Sequence, residues 1–205
     1  CCRMAEEMVR QLDRHPSIVG WIIQNESKTF DPGAVDFYGA IAQTFKRCDP
    51  TRFTVTAEHP TPPQHVGGVN APSTPFDRVP PTCAVADVVG VNIYAGWYSD
   101  KAQTLAEKLD RLIELIPDKP LLVTEFGAEG IPGHRSLTME PWTEDYQSEL
   151  LVRHIRAILD RPAMAGFFLW LFMDYECASI GILGINSKGL VTPERRPKLA
   201  FNTVK

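Results

Sequence analysis

Short apolar segments alternate with longer amphipathic ones along most of the chain. Five segments are almost uniformly apolar, which is typical of parallel strands buried on both faces rather than of antiparallel strands with one wet face. These predicted strands are Ile18–Gln24, Phe53–Ala57, Val88–Tyr94, Leu121–Thr124 and Gly166–Phe172. Successive strands begin at intervals that fit a strand–helix unit of roughly 30 or more residues.

Helical periodicity occupies most of the intervals between these strands. Amphipathic helices are predicted over Val35–Lys46, Thr104–Ile116 and Thr143–Leu159, and Met4–Leu12 resembles the end of one more. The stretch from Pro60 to Pro81 holds seven of the 17 prolines and therefore predicts a long loop, either a surface insertion or a loop that builds a site. The residues from Glu194 to Lys198 are expected to form a solvated helix start.

Repeated strand–helix units indicate either a doubly wound open sheet or a (β/α)8 barrel. No G-x-G-x-x-G or G-x-x-x-x-G-K-[ST] motif occurs, so the usual signature of nucleotide-binding doubly wound folds is missing. Polar residues follow nearly every strand, as in barrels, where catalytic groups converge from the carboxyl ends of strands. Because five strands cannot close a barrel of eight, we expect residues 1–205 to be one α/β domain: the C-terminal portion of a TIM barrel, strands 4–8, with the first three strands missing from this chain.

Composition and charge exclude several classes of protein. The net charge of −4 gives no broad basic face for nucleic acid, and the longest apolar run, Met164–Met173, is shorter than the roughly 20 residues that span a bilayer. Five cysteines without a C-x-x-C pair favour free, buried thiols in the cytoplasm over disulfides or zinc. No metal-site spacing connects the histidines, which are expected to be solvated or capping; those weighed are His59, His65, His134 and His154.

Two carboxylates directly follow buried strands, and this placement suggests chemistry. Glu26 ends the run Trp-Ile-Ile-Gln-Asn-Glu, and Glu125 ends Leu-Leu-Val-Thr-Glu. In a parallel barrel both would face the same mouth. Retaining glycoside hydrolysis needs such a pair, with one carboxylate ionised to attack the sugar and the other protonated for the leaving oxygen. Taken alone, each residue is better explained as a strand end that is solvated or salt-bridged at the surface.

Several motifs, in order along nearly the whole chain, resemble glycoside hydrolase family 2, the family of β-galactosidases and β-glucuronidases. They are His15–Trp21 followed by Asn25-Glu26, Asp87–Tyr98, Pro120–Gly127 with Thr-Glu-Phe-Gly, and Trp170 and Asp174 followed by Gly184–Leu190. The resemblance implies that the chain is part of a catalytic TIM barrel acting on carbohydrate without metal or organic cofactor. From the charge and the length of the apolar runs we expect no nucleic-acid or membrane partner, and a homo-oligomeric full-length parent is compatible with the sequence.

Carried over position by position, the resemblance assigns roles to the residues at the strand ends. It implies that Glu125 is the nucleophile and Glu26 the general acid/base. Asn25 would bond the sugar 2-hydroxyl, and Tyr94 would donate to the nucleophile. Trp170 would stack on the sugar ring, although plain core packing is the alternative reading.

The substrate is suggested by residues late in the chain. Asn186 and Lys188 resemble the Asn-x-Lys pair with which β-glucuronidases grip the sugar carboxylate, and Asn92 and Tyr98 are expected near the pocket. However, Ile182 stands where bacterial glucuronidases tend to carry Arg, and a similar run occurs in some β-galactosidases. β-Glucuronide hydrolysis is therefore the first hypothesis. A β-galactosidase or other family 2 glycosidase and a non-catalytic carbohydrate-binding barrel are the alternatives.

Overall fold

A computed structural model of the chain describes residues 1–59, 78–98, 104–178 and 184–205. Most of the proline-rich stretch that begins at Pro60 lies outside the described residues, as do His65 and Ile182. In chain order the elements are α1 (Cys2–Leu12), β1 (Gly20–Asn25), α2 (Ala34–Cys48), β2 (Phe53–Glu58), a 3-10 helix (Pro81–Val85), β3 (Val88–Asn92), α3 (Thr104–Leu115), β4 (Leu121–Glu125), α4 (Glu144–Leu159), β5 (Met164–Phe167), β6 (Tyr175–Glu176), β7 (Ile185–Asn186) and α5 (Leu199–Val204).

The first five strands form one parallel sheet in the order β1-β2-β3-β4-β5. Every predicted strand therefore exists, and each pairs with its neighbour along the chain. The central strand β3 is buried along all five residues, as expected. The edge strand β1 is only partly buried, and its Ile22 is 53% exposed. Because the strands are parallel, their carboxyl ends meet at one edge, where the polar residues of the sequence collect.

Two clusters of apolar side chains stabilise the sheet and its helices. The larger one lies around β3, β4, α3 and α4 and includes Val91, Leu109 and Val123, none of them exposed. The smaller one joins α1 and α2 to β1, with the Trp21 and Phe45 rings stacked 5.3 Å apart. This packing supplies the burial that short isolated helices need in order to be stable in water.

Some details differ from the sequence-based expectations. His154 lies on the inner face of α4 and is fully buried with its ring 5.8 Å from that of Phe126, so the prediction of a solvated or capping residue is wrong. The cysteines are free as expected, but Cys1 and Cys48 are exposed rather than buried. The predicted last strand is shorter, because the chain leaves the sheet after Phe167, and the antiparallel pair β6–β7 was not predicted at all.

The residues 1–59, 78–98, 104–178 and 184–205 contain neither a membrane-spanning helix nor a cluster of metal ligands. None of the helices there is long and apolar enough to cross a membrane. Over the same residues, no group of three or more His, Cys, Asp or Glu side chains could hold a metal ion.

Candidate active site

The two candidate catalytic carboxylates lie at the same edge of the sheet. Glu125 is the last residue of β4, and Glu26 follows Asn25, the last residue of β1. Glu26 has a φ of 48°, in the left-handed region that is unusual for a side chain with a Cβ, and its N–H donates to the carbonyl of Ala57 at 2.9 Å. The turn after β1 is thus held against β2 and leaves Glu26 exposed at the rim.

Asn92 connects the two strand ends from its position between them. It is the last residue of β3, is 1% exposed, and lies level with Glu125 where the strand register shifts. Its Nδ2 donates to Glu26 Oε1 at 2.8 Å and to Asn25 Oδ1 at 3.0 Å. Its Oδ1 accepts from the Thr124 hydroxyl at 2.7 Å, which fixes which side of the amide faces Glu26.

Tyr94 holds the second carboxylate. Its hydroxyl donates to Glu125 Oε2 at 2.7 Å, a charge-assisted hydrogen bond when Glu125 is ionised. Burial and the charge of Glu26 raise the pKa of Glu125, whereas Tyr94, Asn92 and the positive charge of Lys188 lower it, and the net direction is upward. Burial and the neighbouring Glu125 charge also raise the pKa of the Tyr94 phenol, so it stays a hydrogen-bond donor.

An aromatic wall follows Tyr94 in the chain. The Tyr98 ring packs edge-on against Tyr94 with centroids 5.2 Å apart, and Trp97 packs edge-on against Trp142 at 4.8 Å. Lys188 Nζ lies over both neighbouring rings, 5.5 Å from the centroid of Trp97 and 5.3 Å from that of Tyr98. These cation–π contacts bring the loop after β7 to the same side as the carboxylates.

Lys188 also forms a buried ion pair that the sequence analysis missed. Its Nζ lies 3.1 Å from Glu129 Oε1, and the two side chains are only 1% and 2% exposed. The second oxygen of Glu129 accepts from the backbone N–H of Ser187 at 3.1 Å and from its hydroxyl at 2.8 Å. The sequence feature that could have indicated Glu129 is its position four residues beyond Glu125, in the loop after β4.

Asn186 lies beside Lys188 and is equally buried. Its Oδ1 accepts the backbone N–H of Lys188 at 3.2 Å, and its Nδ2 donates to the Tyr175 hydroxyl at 3.4 Å. The two residues of the Asn-Ser-Lys motif are therefore fixed relative to one another. Burial lowers the pKa of Lys188, and the negative charge of Glu129 opposes that shift.

A second buried ion pair supports this loop from behind. Lys198 Nζ lies 3.0 Å from Asp174 Oδ1 and also donates to the carbonyls of Gly130 at 2.8 Å and Ser187 at 2.7 Å. The expectation that Lys198 belongs to a solvated helix start is therefore wrong. Although Lys198 is the residue preceding α5, its ammonium is buried because three loop segments converge on it.

Trp170 lies next to the segment that follows Glu125. Its backbone N–H donates to the carbonyl of Phe126 at 3.0 Å, and its side chain is partly buried. A Cβ at Gly127 would lie 2.2 Å from the Trp170 carbonyl oxygen, so only glycine permits this close approach.

The arrangement fits chemistry that needs two carboxyl groups in different environments. Glu26 is exposed at the rim and accepts a hydrogen bond from the Asn92 amide. Glu125 is more buried and accepts a hydrogen bond from the Tyr94 phenol, which remains protonated. A cation and an amide lie at the end of the aromatic wall, suited to an anionic group of a ligand.

Comparison with known proteins identifies the family to which the chain is similar. Residues 1–205 match the family model described as Glycosyl hydrolases family 2, TIM barrel domain. A β-glucuronidase of Streptococcus agalactiae is 31% identical over 201 residues, which are 94% of this chain and 31% of that protein. The β-glucuronidase of Sus scrofa is 29% identical over 205 residues. The chain thus spans about a third of the length of these curated relatives.

Solved structures agree on the fold. A β-galacturonidase from Eisenbergiella tayi bound to galacturonate superposes with a TM-score of 0.82 at 29% identity, covering 100% of this chain and 35% of that one. A β-D-glucuronidase from Dictyoglomus thermophilum gives 0.83 at 27% identity, covering 98% and 33%. Together with the family match, they confirm the predicted partial TIM barrel and the resemblance seen in the sequence. That residues 1–205 form a single domain stays a prediction.

Proposed function

Because the chain belongs to glycoside hydrolase family 2, as part of its TIM barrel domain, we propose that the complete protein is a retaining β-glycosidase that hydrolyses terminal β-D-glucuronides. One observation carries the proposal: Glu26 and Glu125 end parallel strands at one edge, and each has its own hydrogen-bond donor, Asn92 and Tyr94. A barrel that only bound sugars would not need two carboxylates held in different environments.

In the first step Glu125 attacks the anomeric carbon of the sugar. Its carboxylate forms a covalent bond to that carbon while the bond to the leaving oxygen breaks, and Glu26 transfers its proton to that oxygen. Tyr94 keeps Glu125 oriented, and its hydrogen bond favours the ionised form that attacks. Asn25 is assigned to the sugar 2-hydroxyl, where a bond strengthens as the transition state forms.

In the second step water releases the sugar. Glu26, now ionised, takes a proton from water, and the resulting oxygen attacks the anomeric carbon as the bond to Glu125 breaks. Two inversions give net retention of configuration. Trp170 and Tyr98 are assigned to the sugar-binding surface, and the chemistry requires no metal or organic cofactor.

The preference for a uronic acid is assigned to Asn186 and Lys188. An ammonium has three N–H donors, and the ion pair with Glu129 uses one, so donors remain for the substrate carboxylate. β-Glucuronidases among the relatives support a glucuronide. The structure with galacturonate supports a β-galacturonide as the second candidate, because the two sugars carry the same carboxylate and differ only in configuration at C4.

Hydrolysis of matched chromogenic substrates by the complete protein tests this function. We expect 4-nitrophenyl β-D-glucuronide to be cleaved with a higher kcat/KM than the galacturonide and a far higher one than the neutral galactoside, because a site built for a polar group rejects a substrate that lacks it. Glu125→Gln should abolish turnover with the fold intact, and the exposed-surface change Glu114→Gln should not. Preference for the galactoside, or near-normal rates for Glu125→Gln, would contradict the proposal.

A further inference from the structure

Glu129 contacts both the side chain and the backbone of the segment that is proposed to bind the substrate carboxylate. It lies in the loop after β4 and is 1% exposed. One carboxylate oxygen accepts from Lys188 Nζ at 3.1 Å, and the other accepts from the backbone N–H and hydroxyl of Ser187. A single side chain therefore fixes the position of the ammonium and of the backbone that carries it.

The Lys188 ammonium depends on this anion to remain charged. Burial removes water from it, and a buried cation without a partner loses its proton readily. The aromatic faces of Trp97 and Tyr98 provide partial compensation on one side. Among the described residues, the anionic groups with the largest electrostatic effect on it are Glu129, Cys177 and Glu125, and Glu129 is in direct contact with it. The Tyr98 phenol ring lies beside it as well.

We propose that Glu129 is a positioning residue for uronide recognition: by pairing with Lys188 and holding Ser187, it keeps the ammonium in place and charged for the carboxylate of the substrate. The inference rests on the proposed function, since it assigns to Glu129 the support of a subsite proposed there. Glu129 does not touch the sugar. It acts through Lys188, and its loss should therefore slow the hydrolysis of uronides and leave the hydrolysis of neutral glycosides unchanged.

The variant Glu129→Gln tests this in the complete protein, because glutamine keeps the shape and removes the charge. With 4-nitrophenyl β-D-glucuronide we expect KM to rise by on the order of tenfold or more, with a smaller change in kcat. With 4-nitrophenyl β-D-galactoside we expect little change in kcat/KM. Without the anion, Lys188 should lose its proton at lower pH, so the alkaline rise of the glucuronide KM should begin at lower pH than in the wild type.

Two further variants separate positioning from general damage to the fold. Glu129→Asp keeps the charge but shortens its reach, and it should restore part of the glucuronide affinity and the wild-type alkaline pH limit. Glu144→Gln alters another buried carboxylate, which accepts the backbone N–H groups of Gly133 and Leu199, and it should change kcat/KM for the two substrates equally. If Glu129→Gln does not fold, the aspartate variant alone still gives the substrate comparison.

The outcomes distinguish this inference from the proposed function. A wild-type enzyme with no preference for uronides overturns both. If the wild type prefers uronides, three results for Glu129→Gln overturn the role of Glu129 and leave the proposed function standing. They are an equal loss of kcat/KM for both substrates, an unchanged preference for the glucuronide, and a higher affinity for the glucuronide.

Discussion

Tyr94→Phe is the change whose effect can be worked out most fully from the structure. It removes one hydroxyl, which donates to Glu125 Oε2 at 2.7 Å, and keeps the aromatic ring against Tyr98. A hydrogen bond to a charged group contributes about 1.5–3 kcal/mol, or roughly one to two pKa units. Glu125 is partly exposed, and water replaces some of the lost interaction, so about one unit is expected.

The direction of the pKa change follows from the form of Glu125 that the Tyr94 hydrogen bond favours. The hydroxyl stabilises the ionised carboxylate, so its removal raises the pKa of Glu125 further in the direction in which burial already moves it. Because attack requires the ionised form, the acidic limb of kcat/KM should move to higher pH by about one unit. Rates above that limb should also fall, because the nucleophile is less well oriented.

The assay is the pH dependence of kcat/KM for a chromogenic glucuronide, measured on the complete protein. Tyr38→Phe in α2 is the matched control, since it also removes one phenol hydroxyl but from a ring that packs against the smaller apolar cluster, and its profile should coincide with that of the wild type. An acidic limb of Tyr94→Phe that stays in place or moves to lower pH would refute the reasoning about Glu125.

Three other changes have clear expected results. Lys198→Met should lower the free energy of unfolding by about 3–5 kcal/mol in urea titration, because it leaves the buried Asp174 carboxylate without its cation; an unchanged midpoint would contradict this. Gly127→Ala should cost on the order of 2 kcal/mol in the same assay and reduce activity, because the new Cβ meets the Trp170 carbonyl. Lys188→Gln should reduce kcat/KM for glucuronide at least tenfold more than for galactoside, and equal losses would remove Lys188 from substrate recognition.

Much of the fold was predictable because buried parallel strands and amphipathic helices have distinct periodicities. The runs around Val55, Val89 and Val123 consist mainly of apolar and β-branched residues, and all three valines are buried in the sheet. Thr143 was predictable as the start of α4, since it is a side chain that can accept a backbone N–H, and it accepts that of Tyr146 at 3.1 Å.

The buried charges were not predictable from local pattern. Lys188, Lys198 and Glu129 are polar residues in irregular segments, and sequence periodicity assigns such residues to the surface. They are buried because the loops after β4, β5 and β7 converge, which is a property of the three-dimensional arrangement. Glu26 and Glu125 could be singled out because each directly follows a buried strand, whereas Glu129 lies in a loop.

The most direct test of the account is to identify the residue that becomes covalently attached to the sugar. The complete protein is incubated with a 2-deoxy-2-fluoro-β-D-glucuronyl fluoride, which slows release of the covalent intermediate, and its peptides are mapped by mass spectrometry. We expect one added sugar on the peptide that contains Glu125, and none on the Glu125→Gln variant. Stable label on another residue, or steady turnover of this compound without any covalent intermediate, would contradict the assignment of Glu125 as the nucleophile.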